Sequence, residues 1–301
     1  IQFLLSMNGN FYFSALRWKG SNSSSLYKAS CGEQAKEDVK ENLALYEYIS
    51  KCEKASKDPV YNSSLFSNSV IEKQMNQYAH GICSDGENIY ITTNGVDGST
   101  VVKKFNISTG KYLGKSSSFV RTDTWSNSDY LMYKDELVYV FCTDKVRAVN
   151  VNDFSLDSDA SFIENPLTID GLSGLKSGAY NSTINKMAIM TNGQLNIVGG
   201  KTLTVEKSVS AKTGLGISCD ANYIYVFFEK KEANASAQFS VYDWSGNLIK
   251  ENVIISNLSS GIDANNNIQG MTYNDGAFYF FVSRWTGKSQ VAKVTLDTSI
   301  F

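Results

Sequence analysis

The polar residues best placed to do chemistry form a predicted ring. Each lies ten positions before the central residue of a recurring strand pattern, and the position that follows it is glycine in four copies of six. Glycine suits strands whose backbones crowd around an axis. Convergent polar groups in a concave pocket are typical of a ligand site. The predicted ligand-binding ring at a channel mouth consists of Gln2, His80, Asp129, Ser177 and Gln269, with Leu215 in the remaining copy.

Two of these residues could support acid–base chemistry. His80 is the single histidine of the chain and could titrate near neutral pH. Asp129 is the one carboxylate of the ring, and one Asp beside Gln and Ser makes a poor metal cage. The sequence therefore predicts no metal, no cofactor and no catalytic residue. An enzyme that acts on a carbohydrate or small ester, with Asp129 and His80 as acid and base, stays open as an alternative. In a further alternative, the side chains of the ring only form hydrogen bonds with water and with neighbouring loops.

Aromatic and arginine side chains form a second group of ligand-binding candidates. Trp and Arg are enriched at binding hot spots, and a Trp face is a good platform for a sugar ring. Because the Arg-Trp pair occurs twice, packing between repeats is the favoured explanation for it. The candidates are Arg17, Trp18, Trp125, Trp244, Arg284 and Trp285.

The elements that must position these residues come from an internal repeat. Residues 1–20 align without a gap to residues 268–287, and nine of the twenty positions are identical. Weaker copies of an apolar strand, an Asn/Asp/Gly turn and a Tyr-centred strand recur between them. The central residues are separated by 78, 49, 48, 38 and 54 residues and are Tyr12, Tyr90, Tyr139, Met187, Tyr225 and Tyr279.

Four of these gaps match the period of propeller blades, about 40–50 residues. The chain is therefore predicted to be all-β, a single six-bladed β-propeller domain over residues 1–301, with three strands visible per copy. A five-bladed ring with one aberrant copy, or a two-sheet sandwich, stays open. The D/N-G-x-φ-Y-φ strand and the phrases FNISTGKYLG (105–114) and VYDWSGNLIK (241–250) resemble the repeat propellers of the NHL and YncE type. That resemblance implies a binding module.

One segment departs from the strand pattern. Residues 32–51 lack turn residues after Gly32 and carry apolar side chains at helical spacing, which predicts a helical insertion over 32–58. It covers a sheet edge or docks a partner through helix 33–51. Cys31 and Cys52 flank it and form a disulfide only if the segment folds back, since a continuous helix would hold them roughly 30 Å apart. Cys83, Cys142 and Cys219 are predicted to be small buried hydrophobes.

Composition limits the classes of function. The net charge is −2 with 28 Lys and Arg, and no basic block is present, so nucleic-acid binding is not expected. No apolar run reaches the ~18 residues of a spanning helix. The chain opens inside a predicted strand without Met, which we interpret as a processed secreted protein or part of a longer polypeptide. The preferred hypothesis is a non-enzymatic, extracellular or surface-displayed module that binds a glycan or protein on one propeller face. A structural propeller of a surface or virion assembly is the further alternative.

Overall fold

The computed structural model describes two compact units, residues 1–57 and 58–301. The described residues are 4–7, 10–16, 24–30, 61–66, 71, 74, 81–94, 99–120, 130–142, 145–212, 214, 216–229, 237–255, 258, 267–283, 289–298 and 301. The predicted helical insertion over 32–58 lies outside them, as do Cys31 and Cys52. None of the helices among the described residues is long and apolar enough to cross a membrane.

The first unit contains one antiparallel three-stranded sheet. Its strands are β1 (Leu4–Met7), β2 (Asn10–Leu16) and β3 (Ser24–Ser30), in that order.

The second unit contains five antiparallel sheets, which we call blades 1 to 5. Blade 1 comprises β5 (Ile82–Ser84), β6 (Asn88–Asn94), β7 (Ser99–Asn106) and β8 (Tyr112–Lys115), with β9 (Phe119–Val120) also paired to β7. Blade 2 comprises β10 (Tyr130–Lys134), β11 (Leu137–Phe141), β12 (Val146–Asn150) and β13 (Phe162–Glu164), with a 3-10 turn at Val151–Asp153. Blade 3 comprises β14 (Ser177–Asn181), β15 (Lys186–Thr191), β16 (Gln194–Gly199) and β17 (Val205–Ser210).

Blade 4 comprises β18 (Gly216–Cys219), β19 (Tyr223–Glu229), β20 (Ala237–Asp243) and β21 (Leu248–Ile255). Blade 5 comprises β22 (Asn267–Asn274), β23 (Ala277–Ser283), β24 (Gln290–Leu296) and β4 (Tyr61–Leu65). The outermost strand of blade 5 therefore comes from the opposite end of this unit and pairs antiparallel with β24.

The ring is a five-bladed β-propeller. The innermost strands β5, β10, β14, β18 and β22 contact one another in sequence order, and β22 contacts β5. The all-β propeller prediction is confirmed, with five blades instead of six. Blade 1 has five strands and the other blades have four, where the pattern predicted three. The sequence pattern missed the outermost strands because strands such as β13, β17 and β21 are largely exposed.

Both faces of every blade are buried, which explains the nearly unbroken apolar runs of the central strands. In β11, Val138 and Val140 pack against blade 1, whereas Tyr139 and Phe141 pack against blade 3. The five hydrophobic clusters of the unit lie one at each junction between neighbouring blades. At the junction of blades 4 and 5, for example, Phe239 and Phe278 are fully buried and stack with ring centroids 5.4 Å apart.

The terminal sequence repeat is also a repeat of backbone structure. Strands β2 and β23 begin and end at corresponding positions, and the pairing of Leu5 with Tyr12 in β1–β2 corresponds to that of Thr272 with Tyr279 in β22–β23. The repeat therefore specifies the same hairpin register in both units.

The position predicted to lie closest to the axis has the same register in every blade. It is Gly178 opposite Ile189, Gly216 opposite Phe227, Gly270 opposite Phe281 and Tyr130 opposite Phe141, while Gly81 accepts a hydrogen bond from Thr92. A Cβ atom at Gly178 would lie 2.8 Å from Ile189 Cδ1 and from Met132 Sδ. At this junction of blades 2 and 3, glycine is a packing requirement.

We expect Gly178→Ala to destabilise the ring by about 1–3 kcal/mol, because the added methyl overpacks a closed core. Gly216→Ala is the matched control, since its Cβ would meet only Tyr130 Cδ1, at 3.9 Å. Denaturant unfolding of both variants measures the difference. Equal stability of the two would contradict the packing argument.

Blade 1 buries a lysine. Lys103 is 8% exposed, and its ammonium donates to the Gln74 carbonyl. Burial, and to a lesser degree the Lys115 charge, lowers the pKa of Lys103 from 10.5 to about 8. Its charged form therefore opposes folding below pH 8, and this cost disappears as the pH rises from 8 to 10.5.

Lys103→Met should accordingly raise the free energy of unfolding at pH 7 by about 2 kcal/mol. The gain over the unsubstituted protein should shrink between pH 8 and 10.5, where the amine is neutral in the folded state and still charged in the unfolded state. Urea titrations across that range test the prediction, and a gain independent of pH would refute it.

Candidate functional site

A cavity of about 60 Å³ lies on the axis of the ring, and all five innermost strands line it. Liquid water occupies ~30 Å³ per molecule, so the space holds about two waters. Its polar lining includes Cys83, Ser84, Ser218 and Thr272. It therefore accommodates one small polar group.

The cavity opens at the end where the innermost strands turn into the second strands. In every blade the last lining residue is half-exposed, whereas the lining residues nearer the start of the strand are buried. We call these five last residues the tyrosine mouth. They are Ser84, Tyr133, Tyr180, Cys219 and Tyr273.

Two of the hairpin turns at the mouth are organised by an aspartate. Asp85 Oδ1 accepts from the backbone N–H of Glu87 and Asn88, and its Oδ2 accepts from Tyr90 Oη at 2.6 Å. In blade 4 the same arrangement recurs, with Tyr225 Oη donating to Asp220 Oδ2 at 2.5 Å. The recurring Asp-to-Tyr spacing of the sequence is therefore a turn fixed to the buried second strand.

The three tyrosines of the mouth hold their own turns. Tyr273 Oη accepts from the Gly276 N–H at 3.2 Å, and Tyr133 accepts in the same way from Glu136. In blade 3, Tyr180 Oη donates to Asn185 Oδ1 at 3.0 Å. Each ring thus stands at the opening in a defined orientation.

Asparagine side chains fix neighbouring turns to one another. Asn181 Nδ2 of blade 3 donates to the Asp220 carbonyl of blade 4 at 3.0 Å, and Asn274 Nδ2 of blade 5 donates to the Gly86 carbonyl of blade 1 at 3.2 Å. Trp244 adds a bond from Nε1 to the same Asp220 carbonyl at 3.4 Å. The turns around the mouth therefore form a preorganised surface.

The electrostatic field at the mouth is negative. The described hairpin turns carry six carboxylates, Asp85, Glu87, Asp135, Glu136, Asp220 and Asp275. They carry two lysines, and both are ion-paired, Lys134 with Asp135 and Lys186 with Glu206.

The pKa values of the three tyrosines of the mouth respond to this negative field. Burial first and a carboxylate second raise the pKa of all three above the usual value. The carboxylate is Asp85 for Tyr133, Asp135 for Tyr180 and Asp220 for Tyr273. In each case it belongs to the preceding blade, so the pKa of every tyrosine of the mouth responds to a carboxylate of the neighbouring blade.

Two cysteines, Cys83 and Cys219, line this cavity. Burial raises the pKa of the Cys83 and Cys219 thiols, so both stay protonated and unreactive. Cys83 and Cys142 are buried as predicted, and Cys219 is half-buried. In the part of the chain that the structure describes, no group of three His, Cys, Asp or Glu residues is arranged to hold a metal ion.

The two described members of the predicted channel-mouth ring, Ser177 and Gln269, lie at the other end of the innermost strands. Ser177 and Gln269 are 1% and 7% exposed, and neither lines the cavity. The Ser177 hydroxyl has no hydrogen-bond partner among the described residues. Gln2, His80 and Asp129 lie outside the described residues, so the ring stays a prediction.

Of the aromatic and arginine candidates, the structure describes Trp244 alone. It is half-buried, packs at the junction of blades 3 and 4, and follows β20 at the same end as the hairpin turns. Arg17, Trp18, Trp125, Arg284 and Trp285 lie outside the described part of the chain.

Sequence reasoning missed the tyrosine mouth, although the sequence contains a signal for it. The phrases YKDE (133–136) and YNDG (273–276) place a tyrosine at the same distance before each strand centre.

No protein-family model and no curated protein matches this sequence. The chain is similar to the tail fiber of Staphylococcus aureus phage P68, with 10% identity and a TM-score of 0.52 over 78% of this chain and 52% of that one. It is also similar to Myxococcus xanthus glutaminyl cyclase, with 11% identity and a TM-score of 0.46 over 80% and 97%. The chain thus spans about half the length of the tail-fiber chain. At such identities the similarity shows the propeller fold alone.

Tyr90→Phe should destabilise the protein at pH 7 by about 1.5–3 kcal/mol, because Asp85 loses a charge-assisted hydrogen bond. Tyr139→Phe is the control, since no described carboxylate accepts from its hydroxyl. Chemical denaturation of both variants measures the difference, and equal losses would contradict the role of Asp85.

The difference in stability between the unsubstituted protein and Tyr90→Phe should also depend on pH. Burial and Asp85 raise the pKa of Tyr90, so its stabilising contribution is complete below the unfolded pKa of about 10 and is lost as the pH rises beyond it. Since phenylalanine has no proton to lose, the stability gap between the two proteins should narrow above pH 10.

Proposed function

We propose that this chain is a non-enzymatic binding module that recognises a glycan through the end of the propeller that carries the tyrosine mouth. The observation that supports this most is the set of three half-exposed tyrosines at the cavity opening, each with its hydroxyl engaged by its own turn. Aromatic faces next to polar side chains suit the alternating apolar and hydroxyl surfaces of sugars.

Preorganisation adds to this argument. The turns around the mouth are bonded to one another across blades by Asn181 and Asn274, so a ligand meets a surface that is already ordered. Binding to such a surface costs little conformational entropy. Rigid scaffolds of this kind are where binding residues on turns are most effective.

We propose further that the module is extracellular and displayed on a cell or particle surface. The presence of this fold in a phage tail fiber supports display on a particle. We also propose membership of the NHL and YncE type of propeller, which the Tyr-centred hairpins support. The Arg-Trp pairs and the predicted channel-mouth ring are proposed as further ligand-binding residues.

A glycan-array screen of the purified chain tests the proposal. Tyr133→Ala and Tyr273→Ala should each weaken binding to the best glycan about tenfold, the loss typical of a central aromatic contact. Ile254→Ala, an exposed residue on the outermost strand of blade 4, should leave binding unchanged.

Thermal unfolding of each variant separates lost binding from lost structure. The proposal is wrong if no glycan binds, or if folded Tyr133→Ala and Tyr273→Ala proteins bind as tightly as the unsubstituted chain. Capture of a protein ligand by the same surface, without any glycan, would favour protein recognition instead.

A further inference from the structure

One lysine of the protein, Lys134, already binds at the tyrosine mouth. The Lys134 ammonium is ion-paired with Asp135 and lies 5.1 Å from the centroid of the Tyr180 ring of the next blade. Its side chain is 11% exposed. A carboxylate from one blade and a tyrosine face from the next therefore form a site that holds an ammonium group in this protein.

A related combination of aspartate and tyrosine occurs twice more around the mouth without a lysine. Asp220 accepts from Tyr225, whose ring centroid lies 5.8 Å from that of Tyr273. Asp85 accepts from Tyr90, and Tyr133 packs against the hydrophobic cluster that contains Tyr90. At the position equivalent to Lys134, blades 1 and 4 carry these aspartates themselves. These two tyrosines therefore lie in a negative field that no described lysine of the hairpin turns neutralises.

The exposed carboxylates strengthen that field. Asp275 follows Tyr273 in its own turn and acts on the same ring. A positively charged ligand group would therefore bind more favourably at this opening than a neutral group of the same shape.

The size of the cavity defines what can enter. About 60 Å³ accepts an ammonium group with its carbon atom and excludes a whole sugar ring. A ligand would insert a charged tip between the tyrosines while the remainder lies on the surrounding turns.

We propose that the tyrosine mouth binds the ammonium group of an unacetylated amino sugar. This inference rests on the proposed function and specifies its ligand class. An amino sugar supplies both the charged tip and the hydroxylated ring that suits the turns around it.

Calorimetric titration with two matched oligosaccharides tests the inference. A glucosamine tetramer should bind, and its N-acetylated counterpart should bind at least about fivefold more weakly, since acetylation removes the charge. The difference should shrink in 1 M salt, where the Debye length is about 3 Å.

Two substitutions should act in opposite directions on the glucosamine tetramer. Asp275→Asn should weaken its binding about two- to fivefold. Lys134→Gln should strengthen its binding about two- to fivefold, because it frees Asp135 and Tyr180 for the ligand. A gain in affinity does not arise from a folding defect. Glu251→Gln, an exposed position on β21 away from the mouth, is the charge-matched control and should change nothing.

The possible outcomes distinguish failure of the ammonium site from failure of the proposed function. Equal binding of the two tetramers, or unchanged affinity in both Lys134→Gln and Asp275→Asn, overturns the ammonium site while glycan recognition stands. Binding of neither tetramer, with other glycans bound on the array, also overturns it. A tetralysine peptide that binds when the amino sugar does not assigns the site to a basic protein. If nothing on the array binds, the proposed function itself fails.

Discussion

The packing of five innermost strands around one axis is the constraint on which the remainder of the ring depends. Where backbones converge this closely a small residue is favoured at one register position, which is glycine in four blades and Tyr130 in blade 2. The blades must then bury both faces, because each is enclosed by two neighbours. Residues such as Tyr139 and Val140, adjacent in sequence, therefore belong to different hydrophobic clusters.

The same convergence creates the candidate site. Hairpin turns that follow the innermost strands are brought together at one end, where each blade contributes one half-exposed residue to the opening. The aspartates that fix the turns serve folding first, through bonds such as Tyr90 to Asp85. Their charge is also directed at the next tyrosine around the ring, so the demands of local structure and the electrostatics of the opening coincide.

Much of the fold followed from the sequence, because the Tyr-centred hairpins recur with the same register. The blade count did not, since strands β1 to β3 repeat the hairpin in a unit separate from the ring, and β4 could not be assigned to blade 5 by periodicity. The site was harder to predict. Residue spacing placed Ser177 and Gln269 at a common level of the channel, but burial and the open end depend on side-chain packing that spacing does not encode. Tyr133 and Tyr273 lie in repeated sequence phrases, but the sequence does not show that their hydroxyls bond to their own turns at the cavity opening.

The pairing of β4 with β24 has a consequence for how the ring assembles. Tyr61 lies opposite Leu296, so the contact that completes the circle joins segments that are far apart along the polypeptide. Loop-closure entropy delays such contacts, whereas the hairpins within each blade form locally. The pairing between β4 and β24 should thus be the last to form during folding and the first to open. Substitutions there would shorten the lifetime of the native state more than they slow its formation.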